Sequence, residues 1–407
     1  MTDPAETPLS QIRGCEVCGL GSIDPIADLG THPLVDDLIE FGSEQVSQKY
    51  PIKLLYCPRC RTVHQEYQVP KTVLFHKEYH YRASLTQDVL RGMSSLVDRC
   101  AELLGSLENK RVLDIGCNDG SLLNFFHLQH AKTAGIEPTN AAREAKPEHH
   151  IIQDYFGPEV ARRMVDEFGS PDIITFTNVF AHIQNLAEVL DSLRVLIGDK
   201  GVKTIVIENH YLGSVIDGKQ FDTFYQEHPR TYSATSFFYI AKALDLTIRA
   251  IEFPKRYGGN IRVFLTNDPE LSAQADVDEL LKKEEAFDQK LPKMFEDIVT
   301  LKEAKVAQIK ALVEKHGKLR AKAFPGRAAL ILEYFGLNEE HFLCVHEQNH
   351  SPKVGHYVPG TRIPIVPDKE LDLSNPAPIV NFAWHIHQEI SEYLKGLGFQ
   401  GEIVPII

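Results

Sequence analysis

The stretch of sequence that decides the fold is Val112-Leu113-Asp114-Ile115-Gly116-Cys117-Asn118-Asp119-Gly120. An apolar strand here runs directly into a glycine-containing turn, and glycines let backbone N–H groups approach a bound molecule closely. Apolar strands and helices then alternate as far as residue 208, which indicates a parallel, doubly wound α/β sheet. Such sheets bind cofactors at the carboxyl ends of their strands, so we expect the functional site there.

The turn and the strand after it favour a nucleoside-type cofactor without phosphates. Dinucleotide-binding turns carry G-x-G-x-x-G, whereas Asn118 replaces the middle glycine between Gly116 and Gly120. The added side chain would crowd a pyrophosphate, which disfavours NAD chemistry. Glu137 follows Asp114 by 23 positions and can accept hydrogen bonds from both hydroxyls of a ribose. The predicted cofactor site comprises Asp114, Gly116, Asn118, Gly120, Glu137, Pro138 and Asn178.

Two later segments carry acid–base groups towards the same edge of the sheet. Asn178 follows the strand that ends near residue 176, and His182 lies close behind it. The next strand leads to a segment in which Tyr225, Glu227 and His228 fall within four residues. A phenol, a carboxylate and an imidazole at this spacing can supply an acid–base group together with a residue that orients it. This composition indicates an active site rather than core packing.

Two Cys-x-x-Cys pairs precede the α/β region, Cys15 with Cys18 and Cys57 with Cys60. Four thiolates on two tight knuckles satisfy the tetrahedral geometry that zinc prefers. Because they leave no open coordination position, the predicted zinc is structural rather than catalytic. The surrounding segment has too few apolar residues for an independent core, and a metal would supply the missing stability.

Composition limits the class of protein. The chain has 407 residues, 43% of them hydrophobic and 24% charged, which is typical of a soluble protein with two or three domains. A net charge of −13 argues against nucleic-acid binding, which needs clustered Lys and Arg. We find neither a membrane-spanning apolar run nor a secretory signal, and seven cysteines, four of them paired as metal ligands, fit a reducing cytoplasm. We therefore expect a cytoplasmic monomer or homodimer that acts on a small molecule, without a nucleic-acid or membrane partner.

Three domains are predicted. Residues 1–75 form the zinc-binding domain, residues 76–268 the cofactor-binding domain, and residues 269–407 a helical connector followed by a smaller α/β domain. The connector is a charge-rich helical stretch over residues 277–313, and we expect Pro292 to interrupt it. Strand and helix patterns then alternate again, which indicates a second sheet.

Taken in order, these motifs resemble the three-domain nucleotide-sugar C-methyltransferases of deoxysugar pathways, which use S-adenosylmethionine (SAM) as methyl donor. The turn and Glu137 look like motifs I and II of SAM methyltransferases, which implies a Rossmann-like middle domain. The resemblance also implies a Rossmann-like C-terminal domain that binds the sugar nucleotide. The resemblance of the whole chain to this family depends on six sequence features: the zinc pairs, D-x-G-x-x-x-G at 114–120, N-V-F-A-H at 178–182, F-D-x-x-Y-x-E-H at 221–228, Y-G-G-N-I-R-V at 257–263 and G-H-Y-V-P-G-T-R at 355–362.

The resemblance implies methylation of a sugar carbon beside a ketone, usually C3 of a 4-keto-6-deoxy sugar linked to a nucleotide diphosphate. On this interpretation His228 is the base and Glu227 helps to orient the site. Tyr225 and His182 stabilise or reprotonate the oxygen of the enolate. Tyr79 matches the family's tyrosine that closes over the sugar, and its neighbour Tyr81 is the competing candidate.

The chain departs from the family pattern at two places. Where the C-terminal domain often reads G-A-x-A-K-G, this chain has Ala323-Phe324-Pro325-Gly326-Arg327-Ala328, which keeps a cation in Arg327 but loses the flanking glycines. Tyr257 stands where a histidine is common. Two alternatives therefore stay open: an O-methyltransferase in which His228 deprotonates a hydroxyl, and a zinc-ribbon regulatory protein that binds the cofactor without turnover.

Overall fold

The N-terminal part of the chain is built from short strands around the cysteine pairs. The computed structural model describes residues 9–75, 81–198 and 203–407. Strand β4 pairs antiparallel with β2 on one side and β5 on the other, and Ile52 and Leu54 of β4 are buried as the alternating pattern predicts. The elements are β1 (Ser10–Gln11), β2 (Asp24–Pro33), β3 (Ile39–Glu40), β4 (Lys49–Cys57), β5 (Thr62–Gln65), β6 (Tyr67–Gln68) and α1 (Lys71–Leu74).

The middle part contains the predicted doubly wound sheet. Within the described residues its strand order is β13-β14-β11-β10-β7-β8-β9. The five strands from β11 to β9 are mutually parallel, and β14 runs antiparallel to both of its neighbours, β11 and β13. Its elements are α2 (Gln87–Leu104), β7 (Arg111–Ile115), α3 (Ser121–Leu128), β8 (Lys132–Ile136), β9 (His150–Ile152), α4 (Pro158–Phe168), β10 (Ile173–Thr177), α5 (Leu186–Ile197), β11 (Thr204–His210), α6 (Leu212–Asp217), β12 (Arg230–Thr231), α7 (Ala234–Ala243), β13 (Thr247–Glu252) and β14 (Asn260–Thr266).

The turn between β7 and α3 adopts the conformation that its sequence favours. Gly116, Asn118 and Gly120 all have positive φ angles, of 71°, 50° and 75°. At Gly116 a side chain is also excluded sterically, because a Cβ atom would lie 2.6 Å from the Val179 side chain. The chain can therefore reverse directly from β7 into α3 and leave its backbone at the carboxyl edge of the sheet.

The C-terminal part forms a second sheet, all of it parallel, in the order β18-β16-β15-β19-β20. Because β15 leads to β16 on one side and β19 lies on the other, the topology reverses between β15 and β19. Its elements are α8 (Gln274–Glu284), α9 (Phe287–His316), β15 (Leu319–Lys322), α10 (Ala328–Phe335), β16 (Phe342–Glu347), β17 (His356–Tyr357), β18 (Ile365–Pro367), β19 (Ile379–Asn381), α11 (His387–Gly396) and β20 (Ile403–Pro405).

Predicted and observed elements agree closely except in the connector. The predicted alternation of strands and helices up to residue 208 is present from β7 to β11. In the connector the break falls at residues 285–286, whereas Pro292 lies inside α9. Pro292 is the sixth residue of α9, so the bond it cannot donate belongs to the first turns of the helix, and the helix continues through it.

The three parts are interlocked rather than strung together. Strand β12 lies between β11 and β13 in the chain but leaves their sheet and pairs with β5 of the N-terminal part. Strand β17 of the C-terminal part pairs with β3. The predicted domain boundaries stay predictions. Among the helices in the described residues, none is long and apolar enough to cross a membrane.

Candidate active site

One cavity of about 550 Å³ collects the predicted site residues at the carboxyl ends of the strands. It lies where the sheet of the middle part faces the loop after β15. Gly120 is the exception, since it is the residue preceding α3 and does not line the cavity. Tyr79 lies outside the described residues, whereas its competitor Tyr81 lines the cavity. The predicted residues at the cavity are Asp114, Gly116, Asn118, Glu137, Pro138, Asn178, His182, Tyr225, Glu227 and His228.

At one end of the cavity, Glu137 is held by backbone groups. Its Oε2 accepts a hydrogen bond from the Asn118 N–H at 3.1 Å, and its Oε1 accepts one from the Thr139 N–H at 2.9 Å. Each oxygen keeps a further lone pair for a ligand hydroxyl. The carboxylate is 6% exposed, so the site presents a fixed acceptor that suits a ribose.

Asn118 ties the segment before α2 to the turn. Its Oδ1 accepts from the Ala83 N–H at 3.0 Å and its Nδ2 donates to the Tyr81 carbonyl at 3.2 Å. The side chain that was expected only to exclude a pyrophosphate therefore also anchors the chain that covers the turn. Asp114 accepts from Thr175 Oγ1 at 2.6 Å, and burial raises the pKa of Asp114 to about 7.

Asn178 occupies a left-handed backbone position with a φ of 55°. A buried network holds it there: its N–H donates to the Glu208 carbonyl at 2.7 Å, and its Oδ1 accepts from Asn260 Nδ2 at 3.1 Å. Asn260 also donates to Glu208, whose other oxygen accepts from Arg262 at 2.7 Å. Through Asn260 and Arg262, the Y-G-G-N-I-R-V motif thus holds the carboxyl end of β10 in place by hydrogen bonds.

Next to Asn178, two imidazoles meet across the cavity. His228 Nδ1 donates to the Thr223 carbonyl at 2.8 Å, which assigns the proton of the neutral ring to Nδ1. His228 Nε2 lies 3.2 Å from His182 Nε2, so the His182 nitrogen donates and the His228 nitrogen accepts. His182 Nδ1 is then an acceptor, and it lies 3.5 Å from Glu227 Oε2.

Burial removes the charge from this cluster. Burial lowers the pKa of His228 to about 4, and the Arg327 charge acts in the same direction. Burial, with a contribution from His228, lowers the pKa of His182 well below its usual value. Burial and then Asp36 raise the pKa of Glu227 well above its usual value. The contact between Glu227 and His182 is therefore between a carboxylic acid and a neutral ring rather than an ion pair, and it completes the assigned proton pattern.

Aromatic groups surround the paired imidazoles. The Tyr225 ring centroid lies 4.2 Å from that of His228 at an interplanar angle of 43°. His210, at the end of β11, approaches to 5.4 Å, and burial, followed by the charge of His228, lowers its pKa well below the usual value. The cluster thus contains three imidazoles and one phenol.

The other end of the cavity belongs to the loop after β15. Arg327 Nε pairs with Asp222 Oδ2 at 3.2 Å, and Trp384 Nε1 donates to the same oxygen at 2.9 Å. The guanidinium carbon lies 5.3 Å from the Trp384 ring, while Nη2 is buried without a hydrogen-bond partner among the described residues. Lys353 Nζ donates to the Phe324 carbonyl at 2.9 Å. Two cations therefore face this part of the cavity.

The residues that line the cavity and that sequence reasoning did not assign to the site include Asn209, His210, Lys353 and His385. The first two could have been found, because they end β11 beside β10. Asn209 Nδ2 is buried and has no hydrogen-bond partner in the part of the chain that the structure describes. Lys353 and His385 lie far along the chain, and no local pattern marks them. The catalytic and binding roles assigned to individual residues stay predictions.

The cysteine cluster lies apart from the cavity. The sulfurs of Cys15, Cys18, Cys57 and Cys60 all lie within 4.8 Å of one another, and all are free thiols. The Cys18 N–H points at Cys15 Sγ from 3.4 Å, as on a metal-binding knuckle. The set fits zinc with every coordination position filled by sulfur. The predicted structural zinc site is confirmed.

Comparisons with known proteins agree with this division. Family models match in chain order: a zinc binding domain over residues 15–75, a "Methyltransferase domain" over residues 82–251, and a "C-methyltransferase C-terminal domain" over residues 255–406. The chain is 26% identical to C-methyltransferase NovU from Streptomyces niveus over 413 residues, covering 97% of this chain and 96% of that protein.

Solved structures with similar folds include two methyltransferases. Magnesium protoporphyrin IX methyltransferase from Synechocystis, with bound SAH, is 14% identical and covers 44% of this chain and 83% of its own, with a TM-score of 0.34. A SAM-dependent methyltransferase from Archaeoglobus fulgidus is 15% identical and covers 45% of this chain and 98% of its own, with a TM-score of 0.34.

The predicted fold class and the methyltransferase activity are confirmed. An enzyme is thus favoured over the regulatory binding protein, and its substrate is a small molecule. The chain therefore has, in order, a zinc-binding domain, a methyltransferase domain and a C-methyltransferase C-terminal domain, which confirms its predicted resemblance to the three-domain C-methyltransferases.

Proposed function

We propose that this enzyme transfers the methyl group of SAM to a sugar carbon beside a ketone, C3 of a 4-keto-6-deoxy sugar carried on a nucleotide diphosphate. The observation that supports this is the single cavity with three chemically distinct regions. Glu137 lies at one end, the imidazole pair follows Asn178, and Thr223 connects that pair to Arg327, since its carbonyl accepts from His228 and its hydroxyl lies 3.5 Å from Arg327.

The methyl donor supplies an electrophilic sulfonium carbon, so the chain has to generate a carbon nucleophile and align it. His228 Nε2 takes the proton from C3, and the electron pair of the C–H bond forms the enolate, with its charge on the ketone oxygen. C3 then bonds to the methyl carbon as the sulfur–methyl bond breaks and its electron pair returns to sulfur. Because burial keeps His228 neutral, its imidazole is in the basic form at neutral pH.

In this structure, His228 Nε2 already accepts a hydrogen bond from His182 Nε2. The substrate must therefore enter between the two rings and replace this contact. Once it has done so, the freed His182 Nε2–H can donate to the enolate oxygen, with Glu227 fixing the opposite nitrogen. Tyr225 stacks beside His228 and can donate to the same oxygen. Asn209 Nδ2 is a further buried donor in the cavity.

The nucleotide is assigned to the Arg327 end of the cavity. This end lies at the carboxyl ends of β15 and β19, where the topology of the second sheet reverses and ligands commonly bind. Arg327 Nη2 has no protein partner among the described residues, and Lys353 adds a second cation. A diphosphate could accept a hydrogen bond from Arg327 Nη2, whose guanidinium also pairs with Asp222, and could form an ion pair with Lys353.

The remaining features are consistent with a cytoplasmic monomer or homodimer without a nucleic-acid or membrane partner. The seven cysteines are free thiols, four of them in the zinc cluster, which suits a reducing compartment. The net charge of −13 opposes association with nucleic acid.

The proposal is tested by incubating the enzyme with SAM carrying a carbon-13 methyl group and a panel of nucleotide-linked sugars, with and without a ketone at C4. We expect label only with the keto sugars, as a methyl group bonded to carbon by NMR. In deuterated water without SAM, the hydrogen at C3 should exchange, because deprotonation precedes transfer.

Methylation of a sugar hydroxyl, with no exchange at C3, would replace carbon by oxygen as the acceptor. Transfer to sugars that lack the nucleotide, at the same efficiency, would contradict the role given to Arg327.

A further inference from the structure

The strand that follows the predicted base belongs to the zinc-binding part of the molecule. Strand β12 begins two residues after His228 and pairs with β5, so that Arg230 lies opposite His64. The backbone that carries His228 is thereby attached to the strand that follows the second cysteine pair. The predicted base is fixed from the zinc side as well as from its own sheet.

Side chains continue this connection up to a zinc ligand. His64 Nε2 lies 3.3 Å from Cys15 Sγ, and its Nδ1 lies 3.7 Å from Glu16 Oε2. Arg230 Nη1 donates to the same Glu16 oxygen at 2.7 Å. The side chains of His64 and Arg230 are fully buried and that of Glu16 is 20% exposed, so water competes little for these bonds.

Arg230 connects the two chain segments that carry the imidazoles of the cavity. It stands two residues after His228, and its Nη2 donates to the carbonyl of Ile183, the residue after His182. Its Nε donates to Tyr232 Oη at 2.8 Å. One guanidinium therefore fixes the two loops whose histidines lie 3.2 Å apart, and Glu16 holds that guanidinium.

A neighbouring glutamine supports the same arrangement. Gln65 of β5 donates through Nε2 to the carbonyls of Tyr225 and His228, at 2.5 and 3.1 Å. Its own N–H donates to the Pro229 carbonyl at 2.9 Å. The 225–230 segment thus takes its position largely from the strand that leaves the Cys57–Cys60 knuckle.

We propose that Glu16 and Arg230 are positioning residues, which set the distance between His182 and His228 from the zinc-bound knuckle. The zinc-binding part then orders the base as well as its own fold. The inference rests on the proposed role of His228. A buried Arg without its carboxylate would be an unpaired charge, so Arg230 should shift and draw the two loops with it when Glu16 is neutralised.

The test compares Glu16→Gln with Glu333→Gln in the full-length, zinc-loaded enzyme. Glu333 is the matched control because it also pairs with a cation of the N-terminal part, Lys49, at 2.6 Å, but contacts neither histidine loop. For Glu16→Gln we expect normal zinc content, normal SAM affinity and a kcat lower by about 100-fold, the effect of a displacement near 1 Å. Glu333→Gln should match the wild type.

A pH profile separates positioning from general loss of structure. When the two loops part, water reaches His228, and the acidic limb of kcat/KM should move upward from near pH 4 towards the ordinary histidine value. Partial unfolding would lower kcat without moving this limb. The groups that face His228 are unchanged in both variants: His182, His210, Tyr225, Glu227 and Arg327.

Glu16→Asp keeps the charge with a shorter arm and should restore most of kcat. If Glu16→Gln does not fold, the kcat and the acidic limb of Glu16→Asp are measured in its place. Unchanged kcat and an unchanged acidic limb would overturn the inference, as would loss of zinc from the Glu16 variants, which would confine Glu16 to the knuckle. Retained turnover in His228→Ala, measured in parallel, would instead refute the proposed base, whatever Glu16 does.

Discussion

Two regions of the cavity hold their polar groups in opposite ways: the end at Glu137, which we call the donor end, and the region of His182 and His228, which we call the acceptor end. At the donor end, the oxygens of Glu137 accept from two backbone N–H groups, and the turn residues around it are fixed by their own φ angles. At the acceptor end, His182 and His228 are held by each other, by the Thr223 carbonyl and by Glu227. The first end depends on the backbone and the second on side chains from separate segments.

This difference decides what each end can do. Because two backbone N–H groups fix the oxygens of Glu137, the donor end presents acceptors for the hydroxyls of a ligand. The imidazoles are surrounded by other buried side chains, and burial lowers the pKa of His228 to about 4. A fixed pair of acceptors suits recognition of a cofactor, whereas a neutral imidazole suits the removal of a proton. Mutations at the two ends should therefore separate binding from turnover.

The largest expected effect is that of His228→Ala. Removing the base should lower kcat by about 1,000-fold, within the usual range for general bases, and leave the Kd for SAM unchanged because no donor-end contact is altered. Single-turnover methyl transfer and calorimetric titration of SAM measure the two quantities. His316→Ala, at an exposed histidine at the end of α9 that does not line the cavity, is the control.

A His228→Ala enzyme with weakened SAM binding would place this histidine at the donor end and erase the contrast between the two ends. Normal turnover in His228→Ala would mean that another group acts as the base.

Glu137→Ala should produce the converse result. Losing a fixed carboxylate that accepts from both ribose hydroxyls should raise the Kd for SAM about 100-fold, while kcat at saturating SAM falls much less. Titration with SAM and with SAH measures the affinity without turnover. Glu148→Ala is the matched control, because Glu148 is exposed and lies outside the cavity. Unchanged affinity in Glu137→Ala would remove the ribose assignment.

The donor end was also the more predictable of the two. Residues 112–120 and Glu137 belong to consecutive strands, and the φ preferences of glycine and asparagine almost dictate the turn. The same rule, that polar residues at the carboxyl ends of strands line the site, would have found Asn209 and His210. The role of Asn118 as an anchor for the segment before α2 depends on a partner 35 positions away, which no local pattern reveals.

The acceptor end resists prediction because separate parts of the molecule build it. Motif order identified Tyr225, Glu227 and His228, but not the pairing of His182 with His228. Lys353 and His385 reach the cavity only because the second sheet packs against the first. The position of the connector break, before Pro292 rather than at it, is likewise a matter of packing, since a proline near the start of a helix is compatible with either arrangement.

The neutral acceptor end predicts a dependence of stability on pH. The pKa of His228 is about 4 in the folded state against 6.5 as its ordinary value, so between these values only the unfolded chain binds the proton. Stability is full above pH 6.5 and is lost as the pH falls towards 4. From pH 7 to pH 5, His228 alone should lower the unfolding free energy by about 2 kcal/mol.

Urea unfolding of the wild type and of His228→Asn at both pH values measures this contribution. Asparagine keeps a donor for the Thr223 carbonyl but cannot titrate, and subtracting the variant cancels the opposing contribution of Glu227, whose pKa is raised. Equal pH dependence in the two proteins would mean that His228 is not buried in the neutral form.

The smallest expected effect, about tenfold, tests whether the acceptor end extends to the nucleotide. Arg327→Lys keeps the positive charge beside Asp222 and His228 but loses Nη2, the nitrogen without a protein partner among the described residues. Since a guanidinium contacts phosphate oxygens through two donors and an ammonium only as a point charge, KM for the nucleotide sugar should rise about tenfold, with kcat and the Kd for SAM unchanged. Arg143→Lys, at an exposed arginine outside the cavity, is the control.

Inhibition by inorganic pyrophosphate tests the same assignment. If pyrophosphate inhibits the wild type and Arg327→Lys equally, Arg327 does not bind the diphosphate and pairs with Asp222 alone. If pyrophosphate inhibits the variant less strongly than the wild type, Arg327 does bind the diphosphate. The acceptor end then includes a charged region at Arg327, which holds the substrate while the neutral imidazoles react with it.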